Sequence, residues 1–165
     1  MEYGTPDFKN GNSITIMDKQ KSYQIRLLSV EENQVLNYLG NRNFDGLTEE
    51  TLVFQFKLDT SLQFTKHIVA IRTAIKYVFE GKDMLQVENT LEFEVEHLEE
   101  IVTKNEEDGT LAFSVDILPT FISVAFGTLR GMVYKETKGT VLENYPIPLI
   151  SMEILKEKNV IVIEE

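Results

Sequence analysis

The chain has 165 residues, and 27 acidic against 16 basic side chains give a formal charge of −11. Hydrophobic residues make up 42% and aromatics 10%. That is too apolar for a disordered chain, and enough for one domain burying about 70% of its unfolded surface. The absence of cysteine excludes a disulfide framework, thiolate catalysis and cysteine-ligated metal, and the net charge repels nucleic-acid phosphate.

Residues 1–12, with turn-formers Gly4, Pro6 and Gly11, read as a flexible lead-in. No basic start with an apolar stretch behind it is visible, so no secretory signal is expected. The longest apolar run is far too short to span a bilayer, and a cytoplasmic protein without membrane insertion is expected. From Ser13 to about Val30, Ile14 and Ile16 and then Tyr23, Ile25 and Leu27 alternate with other residues. This predicts a strand broken near Asp18-Lys19. Asn33 to Gly46, with Asn37, Gly40, Asn41, Asn43 and Asp45, reads as a loop.

Leu52, Phe54, Phe56 and Leu58 follow at a period of two, which sets them on one face of a sheet. A second run carries His67, Val69, Ile71, Thr73, Ile75, Tyr77 and Phe79 on one parity. It ends at Glu80-Gly81-Lys82-Asp83, a tight-turn signal. The third run alternates most cleanly, with Val87, Asn89, Leu91, Phe93 and Val95 inward and Glu88, Thr90, Glu92, Glu94 and Glu96 outward. These runs predict an antiparallel meander. Between Glu88 and Asp108 lie nine acids and one lysine, so most of the net charge sits on this strand and the Glu99–Gly109 connection. A charge run of this kind is usually a solvated face, and its sharper reading is a docking surface for a basic partner.

The period then changes to 3.6. Leu118, Phe121, Ile122, Ala125, Leu129, Met132 and Val133 predict a helix from Ile117 to about Lys138, with Asp116 as N-cap, Pro119 in its first turn and Gly139 as its stop. Its second side, with Ser123, Val124, Phe126, Gly127, Arg130, Gly131 and Tyr134, is poor in charge. It is expected to be covered by a symmetry mate. Pro146 and Pro148 mark an extended segment, Ile150 to Lys156 a short second helix, and residues 157–165 a tail holding a small strand or arm.

No phosphate-cradling, dinucleotide, acyl-transfer or zincin motif is present. His67 and His97 fall on strand patterns. Alternation sends Glu96 and His97 to opposite faces, so a metal site is not expected there. Ten Phe and six Tyr on long strands and a two-sided helix exceed what one small core absorbs, which points to oligomerisation or to a groove for extended hydrophobic polypeptide.

The helix stretch Pro119-Thr120-Phe121-Ile122-Ser123-Val124-Ala125-Phe126-Gly127-Thr128-Leu129-Arg130-Gly131-Met132-Val133-Tyr134, then Lys138-Gly139-Thr140 and Pro146-Ile147-Pro148-Leu149, resembles the SecB-like chaperone family. A weaker echo is Lys57-Leu58-Asp59-Thr60. The likeness covers approximately Tyr23 to Leu155. It implies an α+β domain over residues 13–156: a four-stranded antiparallel meander sheet packed on a long C-terminal helix, with a short second helix. It further implies a non-enzymatic chaperone without cofactor or metal that binds unfolded or non-native polypeptide. Such a protein is bacterial, homo-oligomeric (dimer or tetramer), and serves protein export with the SecA motor or one client such as an antitoxin.

On this reading Phe54, Phe56, Tyr77, Phe79, Phe93, Phe121 and Phe126 are the candidate polypeptide-binding aromatics, some of them core. Glu88, Glu92, Glu94 and Glu96 form the candidate acidic partner face. A dedicated adaptor with a single client is the alternative. A small-molecule enzyme is a third class, which requires an enclosed pocket with convergent polar groups.

Overall fold

A computed structural model describes residues 13–18, 21–40 and 42–164, with side chains at most of these positions. The lead-in over residues 1–12 lies outside the described residues. Among the described residues there are eight strands: β1 (Ser13–Asp18), β2 (Lys21–Asn37), β3 (Leu52–Gln63), β4 (Ile68–Phe79), β5 (Lys82–Val95), β6 (Val102–Lys104), β7 (Leu111–Phe113) and β8 (Val160–Ile163). Three helices accompany them: α1 (Leu98–Ile101), α2 (Leu118–Thr137) and α3 (Met152–Lys158).

The main sheet has six strands in the order β1-β2-β5-β4-β3-β8, and β6-β7 form a separate two-stranded hairpin. Two expectations are corrected here. The sheet has six strands instead of four, because β1 and β8 extend both edges. Nor is it a simple meander. β3, β4 and β5 follow one another as hairpins, but β2 lies against β5 on the far side from β3, which makes a Greek key. The turn between β4 and β5 uses positive φ at Glu80 (50°) and Gly81 (70°), as a two-residue hairpin matched to strand twist requires.

Alternation places the inner face as the sequence predicts. Leu58 of β3 pairs with Thr73 of β4, which pairs with Asn89 of β5, and all three side chains are buried. Around them Leu62, Val69, Ile71, Ile75, Val87, Leu91 and Val95 are essentially solvent-free. β2 reads less clearly because it runs on to Asn37, through residues expected to be a loop. Register shifts between Leu27 and Ser29 and between Glu32 and Gln34 put it out of phase twice.

The helix α2 covers this face with Phe121, Ile122, Ala125, Phe126, Leu129, Val133 and Thr137. Its N-cap is Ile117 rather than Asp116, with no side-chain cap. Asp116 instead lies 3.7 Å from the Lys156 ammonium. The helix end is as expected, with Gly139 in the left-handed region at φ 75°. Phe126, assigned to the outward side, is turned inward and buried, whereas Ser123, Val124, Gly127, Gly131 and Tyr134 stay exposed.

Two hydrogen bonds tie the proline-bearing segment down. The Tyr77 hydroxyl donates to the Tyr145 carbonyl at 2.9 Å, and the Tyr145 hydroxyl donates to the Leu47 carbonyl at 3.1 Å. The chain then enters α3, whose Ser151 hydroxyl accepts from Ile154 N–H, and β8 adds parallel to β3. Asn159 receives the hydroxyl hydrogen bond of buried Thr60 at 2.9 Å, which fixes where β8 begins.

Burial pushes the Tyr77 phenol above its ordinary range. An unfolded tyrosine ionises near pH ~10 while the folded one keeps its proton, so Tyr77 contributes a loss of stability as pH rises past that value. Tyr77→Phe should cost about 1 kcal/mol at neutral pH through the lost hydrogen bond. Its deficit against the parent in urea unfolding should narrow above pH ~10; an unchanged deficit would assign the phenol no part in the alkaline loss.

Candidate functional site

The seven candidate aromatics fall mainly in the protomer core. Tyr77, Phe79, Phe93, Phe121 and Phe126 are buried, and Phe54 and Phe56 are half-buried. Their contacts explain the placement. Phe54 meets Tyr77 edge-on with ring centroids 4.7 Å apart, Phe56 meets Phe126 at 6.3 Å, and Phe93 meets Phe121 at 4.6 Å. Cross-strand and sheet-to-helix pairs of this kind hold α2 on the sheet. The five buried rings therefore do not form an open groove in this protomer.

Phe113 of β7, half-buried, lies 6.4 Å from Phe121 and is the outer end of a Phe93–Phe121–Phe113 column. It stands in a groove of about 420 Å³ lined on its apolar side by Leu111, Phe113, Val115, Leu118, Pro119 and Ile161. The β6-β7 hairpin, the first turn of α2 and β8 meet here. The Lys156–Asp116 ion pair sits at the lip and is solvent-exposed, so it offers little resistance to opening. Leu111, Phe113 and Val115 alternate in the sequence directly after the acidic loop, and that period of two was the available signal for this wall. The loop itself is compact: Val102–Lys104 pairs with Leu111–Phe113, and Asp108 accepts from Thr110 N–H and Oγ. Those hydrogen bonds hold the Asp108 carboxyl below the usual range.

The acidic candidates lie on the opposite, helix-free face of the sheet. Glu88, Glu92 and Glu94 project there from β5, and Glu96 lies just past the strand end, where its N–H donates to Gln24. Flanking strands partner each of the three. Arg26 approaches Glu94 at 2.8 Å, Ser29 donates to Glu92 at 3.1 Å, and Arg72 lies 3.7 Å from Glu88. The face is thus a ladder of cross-strand pairs, and its excess negative charge lies at the margins. Beside it a shallow trough of about 390 Å³ crosses five strands, with Ala70 and Ser61 low in its floor, Val160 and Val162 along one side, and Glu31, Asp59, Glu92 and Glu164 around it.

The histidines depart from their expected strand positions. His67 closes a short 3-10 turn at φ 55°, and His97 precedes α1 at φ 57°. Both sit at strand ends beside glutamates, His67 Nδ1 being 3.3 Å from Glu99. Among the described residues no group of three or more histidines and carboxylates is arranged to hold a metal ion, and no helix is long and apolar enough to cross a membrane.

The fold as a whole is similar to a solved architecture. The chain superposes on the Mycobacterium tuberculosis Rv1957 SecB-like chaperone, solved in complex with a ChAD peptide from the Rv1956 HigA1 antitoxin. The TM-score is 0.50 at 14% identity, over 77% of this chain and 91% of that one. The fold is SecB-like. No protein-family model matches the chain, and no curated protein matches it in sequence. At this identity the likeness speaks for the fold alone.

The pairing on the open face makes a specific demand. Glu94→Lys faces Arg26 with a second cation, yet both side chains are about half exposed, and the measured loss in chemical unfolding should stay below about 1 kcal/mol. A loss of several kcal/mol would make the pair a structural element of the sheet instead of a surface ladder.

Proposed function

We propose that the protein is a SecB-like chaperone that holds extended, non-native polypeptide in the groove between the β6-β7 hairpin, the start of α2 and β8. The observation that carries this reading is the open apolar wall Leu111–Phe113–Val115–Leu118, continuous with the buried Phe121–Phe93 column on a SecB-like fold. An apolar channel with few polar groups holds side chains of many shapes, and several weak contacts along one chain add to useful avidity. No catalytic step, nucleotide or metal enters this mechanism. Action in the cytoplasm, and transfer of clients to an export motor such as SecA through the acidic β5 face, belong to the same proposal.

Assembly supports the reading as well. Ser123, Val124, Gly127, Gly131 and Tyr134 leave an uncharged stripe on α2, and a Cβ at Gly127 or Gly131 would meet nothing inside the protomer. Nothing among the described residues asks for glycine there, whereas close approach of a second helix does. We therefore propose a homo-oligomer formed across this helix face. A second reading, one dedicated client, is favoured by the similar chaperone's complex with an antitoxin peptide.

Stoichiometric protein should suppress aggregation of several unrelated denatured proteins. Phe113→Ser combined with Leu118→Ser should weaken client binding about tenfold, roughly 1.4 kcal/mol, while Val124→Ser on the outer helix face should leave it unchanged. Suppression confined to a single client would decide for the dedicated adaptor. Equal activity of the groove variant and the parent, both folded, would remove the groove from the mechanism.

A further inference from the structure

The strand β8 is the least anchored wall of the candidate groove. It joins β3 over four register pairs, Asp59–Val160 to Leu62–Ile163, and the pairing is parallel, the weaker form per residue. Val160, Val162 and Ile163 are 55%, 45% and 47% exposed, so of the four only Ile161 packs against the core. The helix before it is held better, because Leu155 is buried. Between them Asn159 follows the helix in an extended conformation. This residue both fastens the strand and loosens it. Its Oδ1 accepts the Thr60 hydroxyl hydrogen bond at 2.9 Å, while its Nδ2 is buried with no partner among the described residues. An unpaired buried amide penalises the docked strand, and water relieves it when the strand lifts. At the far end Glu164 N–H donates to the Leu62 carbonyl at 2.9 Å, and Gln63 Nε2 donates to the Glu164 carboxylate at 3.0 Å in an exposed position.

We infer that β8 is a latch on the polypeptide groove: it swings away from β3 about Asn159 to admit an extended chain and returns to close over it. The latch presupposes the client groove proposed above and adds how that groove is filled and emptied. Ile161 couples the two, being the register partner of Thr60 on β3 and a wall of the groove with Leu111, Phe113 and Leu118. Lifting four residues therefore opens one side of the groove and leaves the order β2-β5-β4-β3 and the α2 seal in place. Opening of a short, half-exposed terminal strand lies at the low end of the free-energy range of local unfolding, well before the core loosens. Once docked again, β8 keeps a bound chain from leaving on that side. The latch thus sets the rates of uptake and release more than the affinity.

The chain lacks cysteine, so the latch can be locked. Ser61 and Val162 are register partners, and both side chains line the open-face trough instead of the client groove. The full chain carrying Ser61→Cys and Val162→Cys, oxidised, should take up a labelled, carboxymethylated unfolded protein about tenfold more slowly than the same chain reduced. Oxidised after loading, it should release that client more slowly by a similar factor. Thr60→Val, which removes the Asn159 fastening, should speed uptake several-fold. Without client, Glu164 N–H should exchange with solvent far faster than a core amide such as Leu91. Equal rates in the oxidised and reduced forms overturn the latch and leave the groove standing. Exchange at Glu164 as slow as at Leu91 overturns it too. Failure of every form, parent included, to bind the unfolded protein removes the groove and the latch together.

Discussion

Everything in this fold depends on one asymmetry: the long strands β3, β4 and β5 are apolar on one face and polar on the other, and α2, helped by buried residues of α1, α3 and the proline-bearing segment, seals the apolar face. The seal is made by shape more than by count. Phe56 meets Phe126 and Phe93 meets Phe121, so each buried ring of α2 stands against a ring of the sheet. Buried Thr73 and Asn89 hydrogen-bond to one another in the middle of that layer. The pairing of β4 with β5 has one favoured register, because a one-residue slip would send every buried side chain to the open face.

That seal also decides what is left for function. Once α2 takes Phe93, Phe121 and Phe126 into the core, the exposed large apolar side chains lie on β8, on the outer stripe of α2 and at scattered positions such as Leu28, Val30, Val53 and Leu149, while Leu111 and Phe113 of the β6-β7 hairpin are half-buried. Most rings are absorbed, and the exposed aromatics among the described residues are Tyr38 and Tyr134. The open sheet face, by contrast, carries polar and charged groups, with Arg26 beside Glu94, Arg72 near Glu88 and Ser29 donating to Glu92, and these leave it wettable.

The legible parts of the sequence were those where one period runs long enough. The alternation from Leu85 to Val95, the Glu80-Gly81 turn and the 3.6-residue stripe of α2 all have direct structural counterparts. Three kinds of feature were hidden. Register shifts in β2 broke its alternation after Leu27, so its extension to Asn37 read as a loop. The three-residue strands β6 and β7 are shorter than a period can certify, and although a small strand was expected in the tail, the parallel addition of β8 to β3 leaves no local turn signal. The order of strands is a third case, since hairpin signals speak only of neighbours and the return of β2 to β5 is a long-range pairing. Of the aromatics that the sequence singled out, five lie in the core and Phe54 and Phe56 are half-buried, because a period of two names a face of the sheet without saying what covers it.

The central claim is that the chain meets non-native polypeptide at the apolar margin around Phe113 and not on the open sheet face. Hydrogen exchange of the full chain with and without a permanently unfolded client reads this directly. The account predicts added protection in residues 111–119 and at Ile161, with the outer face of β5 and the strands beside it unchanged. Protection spread over Glu88, Glu92 and Glu94 with none at the Phe113 hairpin would contradict it.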